Sequence, residues 1–143
     1  MHLGCANLTE EKGMLLSSRY EERTLYYSIR DKNIQPMILE VAILDVKPSM
    51  VNEFETAFKT ASTIIASMPG YISHELQRCL ETTNRYILLV RWQKLEDHTI
   101  GFRQSPEYQE WRSLLHHFYD PFPTVEHYEV VLHNPKSDLR TVL

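Results

Sequence analysis

Cysteine is scarce in this 143-residue chain: Cys5 and Cys79 stand far apart and in no CxxC pair. A disulfide framework is therefore not expected, and a reducing cytoplasm is the simplest setting. Basic runs are missing too. The net charge is −4 and the Lys and Arg residues are scattered, so no positive stripe exists to follow a nucleic-acid backbone, and the acidic excess argues against anionic membrane surfaces. No stretch approaches the roughly 20 apolar residues that span a bilayer, and Met1 to Asn7 lack the apolar core of a signal peptide. The sequence predicts a soluble cytoplasmic protein without nucleic-acid or membrane partners.

Motifs for borrowed chemistry are equally absent. There is no HExxH, no Cys/His cluster and no paired carboxylates at ligand spacing. His116 and His117 are adjacent, so on a helix they diverge by about 100°. No metal is expected. Without GxGxxG or a P-loop, no nucleotide cofactor is expected either. Ser73, Ser105 and Ser113 lack the strained elbow of a nucleophilic serine.

What is present is one domain's worth of patterned chain. Residues 1–36 are rich in charge, lack a sustained period, and carry one apolar cluster, Leu25-Tyr26-Tyr27. They read as an N-terminal extension: a poorly packed arm, an over-long start ahead of Met37, or an arm that wraps a partner subunit. From Met37 to Val46 the chain is β-rich, with Leu39, Val41 and Ile43 forming a wholly apolar face and Ile38, Glu40, Ala42 and Leu44 a mixed one. Pro48 or Ser49 starts a helix in which Met50/Val51, Phe54, Ala57/Phe58, Ala61 and Ile64/Ile65 recur at helical spacing. Met68-Pro69-Gly70 stops it.

Strands are predicted at Tyr71–Leu80 and Asn84–Trp92, the second apolar on both faces as a central strand should be. A short helix over Leu95–Gln104 follows. Ser105 caps the next helix, Pro106 opens it, and Tyr108, Trp111, Leu114, Leu115 and Phe118 mark its buried stripe. Asp120-Pro121-Phe122-Pro123 breaks it. Val125–His133 reads as the last strand and 134–143 as a tail. The order β-α-β-β-α-β over residues 37–133 predicts an α+β fold, the ferredoxin-like split βαβ with an antiparallel sheet. Both helices then lie on one face. A second copy of the chain is expected on the other, with the mixed face of the first strand suited to that contact.

The segment from Trp92 to Tyr108 (WQKLEDHTIGFRQSPEY) resembles the antibiotic biosynthesis monooxygenase family, in which a strand ends in Trp, a short helix carries a His, and Ser-Pro plus an aromatic open the next helix. The turn Met68-Pro69-Gly70-Tyr71 and the closing run Pro123 to Glu129 are similar to the family's as well. The resemblance implies a dimeric α+β barrel whose two sheets pack on each other. It further implies a cofactor-independent monooxygenase-like protein acting on a small aromatic or enolisable compound. The alternative is a non-catalytic dimeric protein of the same fold that binds small molecules or serves a stress response. Haem-degrading and polyketide-oxidising members carry an Asn on the first strand, where this chain offers only Glu40 and Asp45 as polar residues.

Cofactor-free oxygenation needs a base, a donor for the enolate and a dry pocket. His98 is the candidate base. Trp92 is expected to offer its ring N–H to a substrate oxygen and its face as a wall. Phe102, four residues beyond His98, is placed beside it. His74, Glu40, Trp111 and Phe118 complete the expected substrate-binding set. His127 and Tyr128 point to opposite faces of their strand, so only one reaches a given cavity.

Overall fold

In the computed structural model, residues 37–136 are described; the predicted extension over 1–36 and the tail beyond 136 lie outside them. β1 (Ile38–Asp45) leads through a 3-10 turn (Pro48–Met50) into α1 (Val51–Ala66). β2 (Tyr71–Arg78) and β3 (Arg85–Trp92) follow as a hairpin. A π-helical turn (Asp97–Phe102) precedes α2 (Pro106–Leu115), a 3-10 turn (His116–Phe118) and β4 (Val125–Tyr128). All three strand pairings are antiparallel, and the sheet order is β2-β3-β1-β4. This is the predicted split βαβ arrangement.

Local chemistry explains the punctuation. Gly70 ends the turn after α1 with φ +81°, a conformation that favours glycine. Ser105 caps α2, its Oγ accepting from the backbone N–H of Tyr108 at 3.1 Å, with Pro106 at the first position, where no N–H is needed. Between helices and sheet lies one apolar cluster. α1 supplies Phe54, Phe58, Ala61 and Ile65, and α2 supplies Trp111 and Leu115. β3 contributes Tyr86, Leu88, Val90 and Trp92, every second residue, as a pleated strand must. Each large side chain so buried contributes about 1.5–3 kcal/mol.

The inward face of β1 differs from expectation. The mixed face packs under the helices, with Glu40, Ala42 and Leu44 all buried, whereas Ile43 of the wholly apolar face is 42% exposed. The register is the reason. Glu40, Ala42 and Leu44 lie opposite Val90, Leu88 and Tyr86, the buried set of β3, and a slip of one residue would turn every side chain over. The face left for any second sheet is therefore Leu39, Val41 and Ile43.

Other elements differ from expectation as well, β2 ending at Arg78 and β3 beginning at Arg85. β4 ends at Tyr128 rather than His133, because Tyr128 pairs with Leu39 while β1 begins at Ile38, and the ladder runs out of partner. Val130, Val131 and Leu132 are exposed as a result. The predicted helix over Leu95–Gln104 is π-helical at its centre: the N–H of Arg103 bonds the carbonyl of His98, five residues back, at 3.0 Å.

Candidate functional site

A cavity of about 290 Å³ opens between the sheet and the segment from the π-helical turn onward. Its floor is Glu40, Ala42 and Leu44 of β1, with Leu88 and Val125 beside them. His98, Phe102 and Arg103 form one wall, and Tyr108 and Trp111 of α2 form another. His116, Tyr119, Phe122 and Pro123 close the remaining side. Aromatic side chains make up much of the lining.

One line of hydrogen-bonding groups runs from the cavity wall into the protein. Glu40 is 5% exposed, and its Oε2 accepts from the indole Nε1–H of Trp92 at 2.8 Å. Its other oxygen, Oε1, lies 3.4 Å from Nε2 of His98. His98 is 2% exposed and stacks on Trp92, with ring centroids 5.5 Å apart. The far nitrogen of His98, Nδ1, hydrogen-bonds Nε2 of His127 at 2.7 Å. β4 brings His127 there: it lies opposite Glu40 in the ladder and so shares its face.

Burial sets the protonation of this line. It lifts the Glu40 carboxyl from 4.5 to about 7, against the opposing pull of the Trp92 hydrogen bond and the Arg103 charge. It holds the His98 imidazole down at about 3, with the nearby charges of Arg103 and His127 acting in the same direction. His127 is lowered by the same two influences, burial and Arg103. The arrangement keeps His98 neutral and leaves Glu40 poised between its two forms near neutral pH.

The residues singled out in the sequence divide into three groups. Glu40, His98, Phe102 and Trp111 line the cavity. Trp92 is fully buried behind them, its N–H occupied by Glu40 and its ring covered by His98, so the expected presentation of that N–H to a substrate oxygen does not occur. His74 and Phe118 lie elsewhere. His74 bonds Tyr71 Oη at 2.5 Å and Ser62 Oγ at 3.0 Å, beneath α1. Phe118 packs edge-on against Phe54 in the core. His127, Arg103 and His116 belong to the site without being among the residues the sequence pointed to. His127 had a signal, since strand alternation limits it to one face, but nothing local says which.

Among the described residues no group of three or more His, Cys, Asp or Glu is placed to hold a metal ion, and no helix is long and apolar enough to cross a membrane.

The sequence model described as antibiotic biosynthesis monooxygenase matches residues 37–114, more than half of the chain. The chain belongs to the antibiotic biosynthesis monooxygenase family. A curated relative, the uncharacterized protein YczJ of Bacillus subtilis, is 57% identical over 95 residues, spanning 66% of this chain and all of YczJ. A crystal structure of an antibiotic biosynthesis monooxygenase family protein from Bordetella bronchiseptica is 35% identical, with a TM-score of 0.66, over 68% of this chain and all of that one. SnoaB, a cofactor-independent oxygenase from Streptomyces nogalater, is 19% identical with a TM-score of 0.56, covering 73% of this chain and all of SnoaB. At that identity the likeness shows a shared fold. Within this family frame, the β1 position that faces the cavity is a carboxylate, Glu40, bonded to the strand-ending Trp92.

Proposed function

We propose that this family member is a cofactor-independent monooxygenase acting on a small aromatic or enolisable compound held in the cavity, with Glu40 as the base. The observation that carries the reading is a buried carboxyl at the cavity wall, held near neutrality between the Trp92 N–H and the His98 ring. A group with that poise can take a proton from an acidic C–H and return it later in the same turnover.

The chemistry balances without a cofactor. Glu40 carboxylate removes a proton from a CH₂ flanked by electron-withdrawing groups. The resulting enolate passes one electron to O₂, the radical pair joins as a C–O bond, and the protonated peroxide loses water to leave C=O. The CH₂ group and O₂ become C=O and H₂O. Arg103, which also faces the cavity, stabilises the enolate charge, and Phe102 and Trp111 hold the flat substrate. His98, expected from the sequence to be the base, serves here as the neutral partner of Glu40, because burial suppresses its own basicity. Trp92 orients Glu40 from behind.

The open sheet face, with Leu39, Val41 and the half-exposed Ile43 on β1, is the surface on which a second copy packs in this proposal. The exposed Val130, Val131 and Leu132 add apolar area beside it in sequence. One observation favours the non-catalytic alternative, a small-molecule-binding protein: the Trp92 N–H is engaged by Glu40 and does not reach the cavity. Oxygen uptake with a panel of anthrone- and quinol-type compounds separates the two. Uptake supports the oxygenase. Binding of the same compounds without uptake supports the binding protein.

A further inference from the structure

The line of polar groups does not end at the cavity wall. Glu40 Oε1 faces His98 Nε2 at 3.4 Å, and His98 Nδ1 is bonded to His127 Nε2 at 2.7 Å. An imidazole with a partner on each nitrogen can accept a proton on one side while releasing one on the other. His98 is enclosed, at 2% exposed, whereas His127 is only partly buried, so the line runs from a dry carboxyl toward water. A bound flat ligand would cover the cavity side of Glu40, leaving His98 as the titratable group beside it, since its other contact is the Trp92 indole N–H.

From this geometry we infer that His98 and His127 form a proton path by which Glu40 exchanges its proton with solvent while the cavity is occupied. The inference deepens the proposed oxygenase reading, for which it supplies the means of readying the base. Two proton arrangements satisfy the line. In the first, Glu40 is protonated and its O–H donates to His98 Nε2, while His98 Nδ1–H donates to His127 Nε2. Two protons then move outward in step. Glu40 becomes a carboxylate, His98 carries its proton on Nε2, and His127 becomes an imidazolium whose Nδ1–H is lost to water. The reverse movement restores the start, and no electrons are exchanged. His127 touches no reacting atom in this scheme and acts as a positioning and proton-transfer residue.

The other charged or titratable groups around the line are Arg103, which follows the π-helical turn, and Tyr108 and His116, which share the cavity lining. The charge of Arg103 acts on Glu40, His98 and His127 alike.

The distinguishing feature is the tautomer of His98. It carries its proton on Nδ1 when Glu40 is neutral and on Nε2 when Glu40 is ionised. Nitrogen-15 NMR of the imidazole rings in the full chain, without substrate, reads this directly across the pH range in which the carboxyl stretch of Glu40 disappears from the infrared spectrum. The path predicts that the protonated nitrogen of His98 changes in step with that band, and that Glu40→Gln freezes His98 in one form. A wild-type His98 that keeps one tautomer throughout overturns the path. Because no substrate enters the measurement, that failure is distinct from a failure of the oxygenase reading, which oxygen uptake tests.

Discussion

Trp92 Nε1–H donates to Glu40 Oε2 at 2.8 Å, joining the end of β3 to the third residue of β1 across the middle of the sheet. Both residues are buried, so the bond replaces water that neither can reach. Trp92→Phe keeps most of the ring volume and removes the donor. The expected loss is about 1–3 kcal/mol, from leaving a buried acceptor without its partner. The Glu40 carboxyl should also titrate higher than in wild type, because the bond favours the charged form. Chemical denaturation and the infrared carboxyl band check the two effects.

Stability should depend on pH through Glu40 in an unusual sense. Its folded pKa, about 7, lies above the ordinary 4.5, so the fold holds a proton that the unfolded chain has released. The contribution is fully present below about 4.5 and is lost as pH rises through 7. Glu40→Gln removes this loss. Its stability relative to wild type should therefore rise by roughly 3 kcal/mol between pH 4.5 and 8. His98 works in the opposite sense, since its folded pKa of about 3 lies below 6.5 and its contribution is lost as pH falls from 6.5 toward 3. Urea denaturation at a series of pH values follows both slopes.

Gly70 supports the site from a distance. Its φ is +81°, and a Cβ there would collide with the side chain of Asp97, whose own Cβ would be 2.7 Å away. Asp97 opens the π-helical turn and accepts from the backbone N–H of Lys94 at 3.1 Å. Gly70→Ala is expected to cost at least 1–2 kcal/mol from the backbone conformation alone. It should also disturb the ring environment of His98, one residue after Asp97, as seen in the His98 NMR resonances.

The uncovered face of the sheet gives a test of assembly. Val41 lies opposite Leu89 on that face, near the middle of the β1–β3 ladder. A charge placed there would be desolvated if a second copy covers it. Wild type should run as a dimer on sizing with light scattering, and Val41→Glu should shift it to a monomer. A monomeric wild type would remove the proposed second copy.

Much of the fold was legible because its signals are local. The apolar period of α1, the Pro69-Gly70 turn and the Ser105-Pro106 cap each depend on residues within a few positions of one another. The inward face of β1 was not legible. Leu39, Val41 and Ile43 are the more apolar set, yet register with β3 turns the mixed set inward. The π-helical turn was hidden for a related reason, since hydrogen bonds reaching five residues back, such as Arg103 N–H to His98, change the geometry without changing the pattern. Within the site, His98 and Phe102 could be paired by spacing. The bond from His98 to His127 spans 29 residues and depends on where β4 docks, which no local rule supplies.

Glu40 is, in this proposal, the base of an oxygenation in the cavity. Oxygen uptake with anthrone, measured from pH 5 to 9 for wild type and Glu40→Gln, is the test. The wild-type rate should rise as pH passes about 7, where Glu40 ionises, and the variant should lose about 100-fold or more, as removal of a general base implies. A folded Glu40→Gln protein that consumes oxygen at the wild-type rate would contradict it.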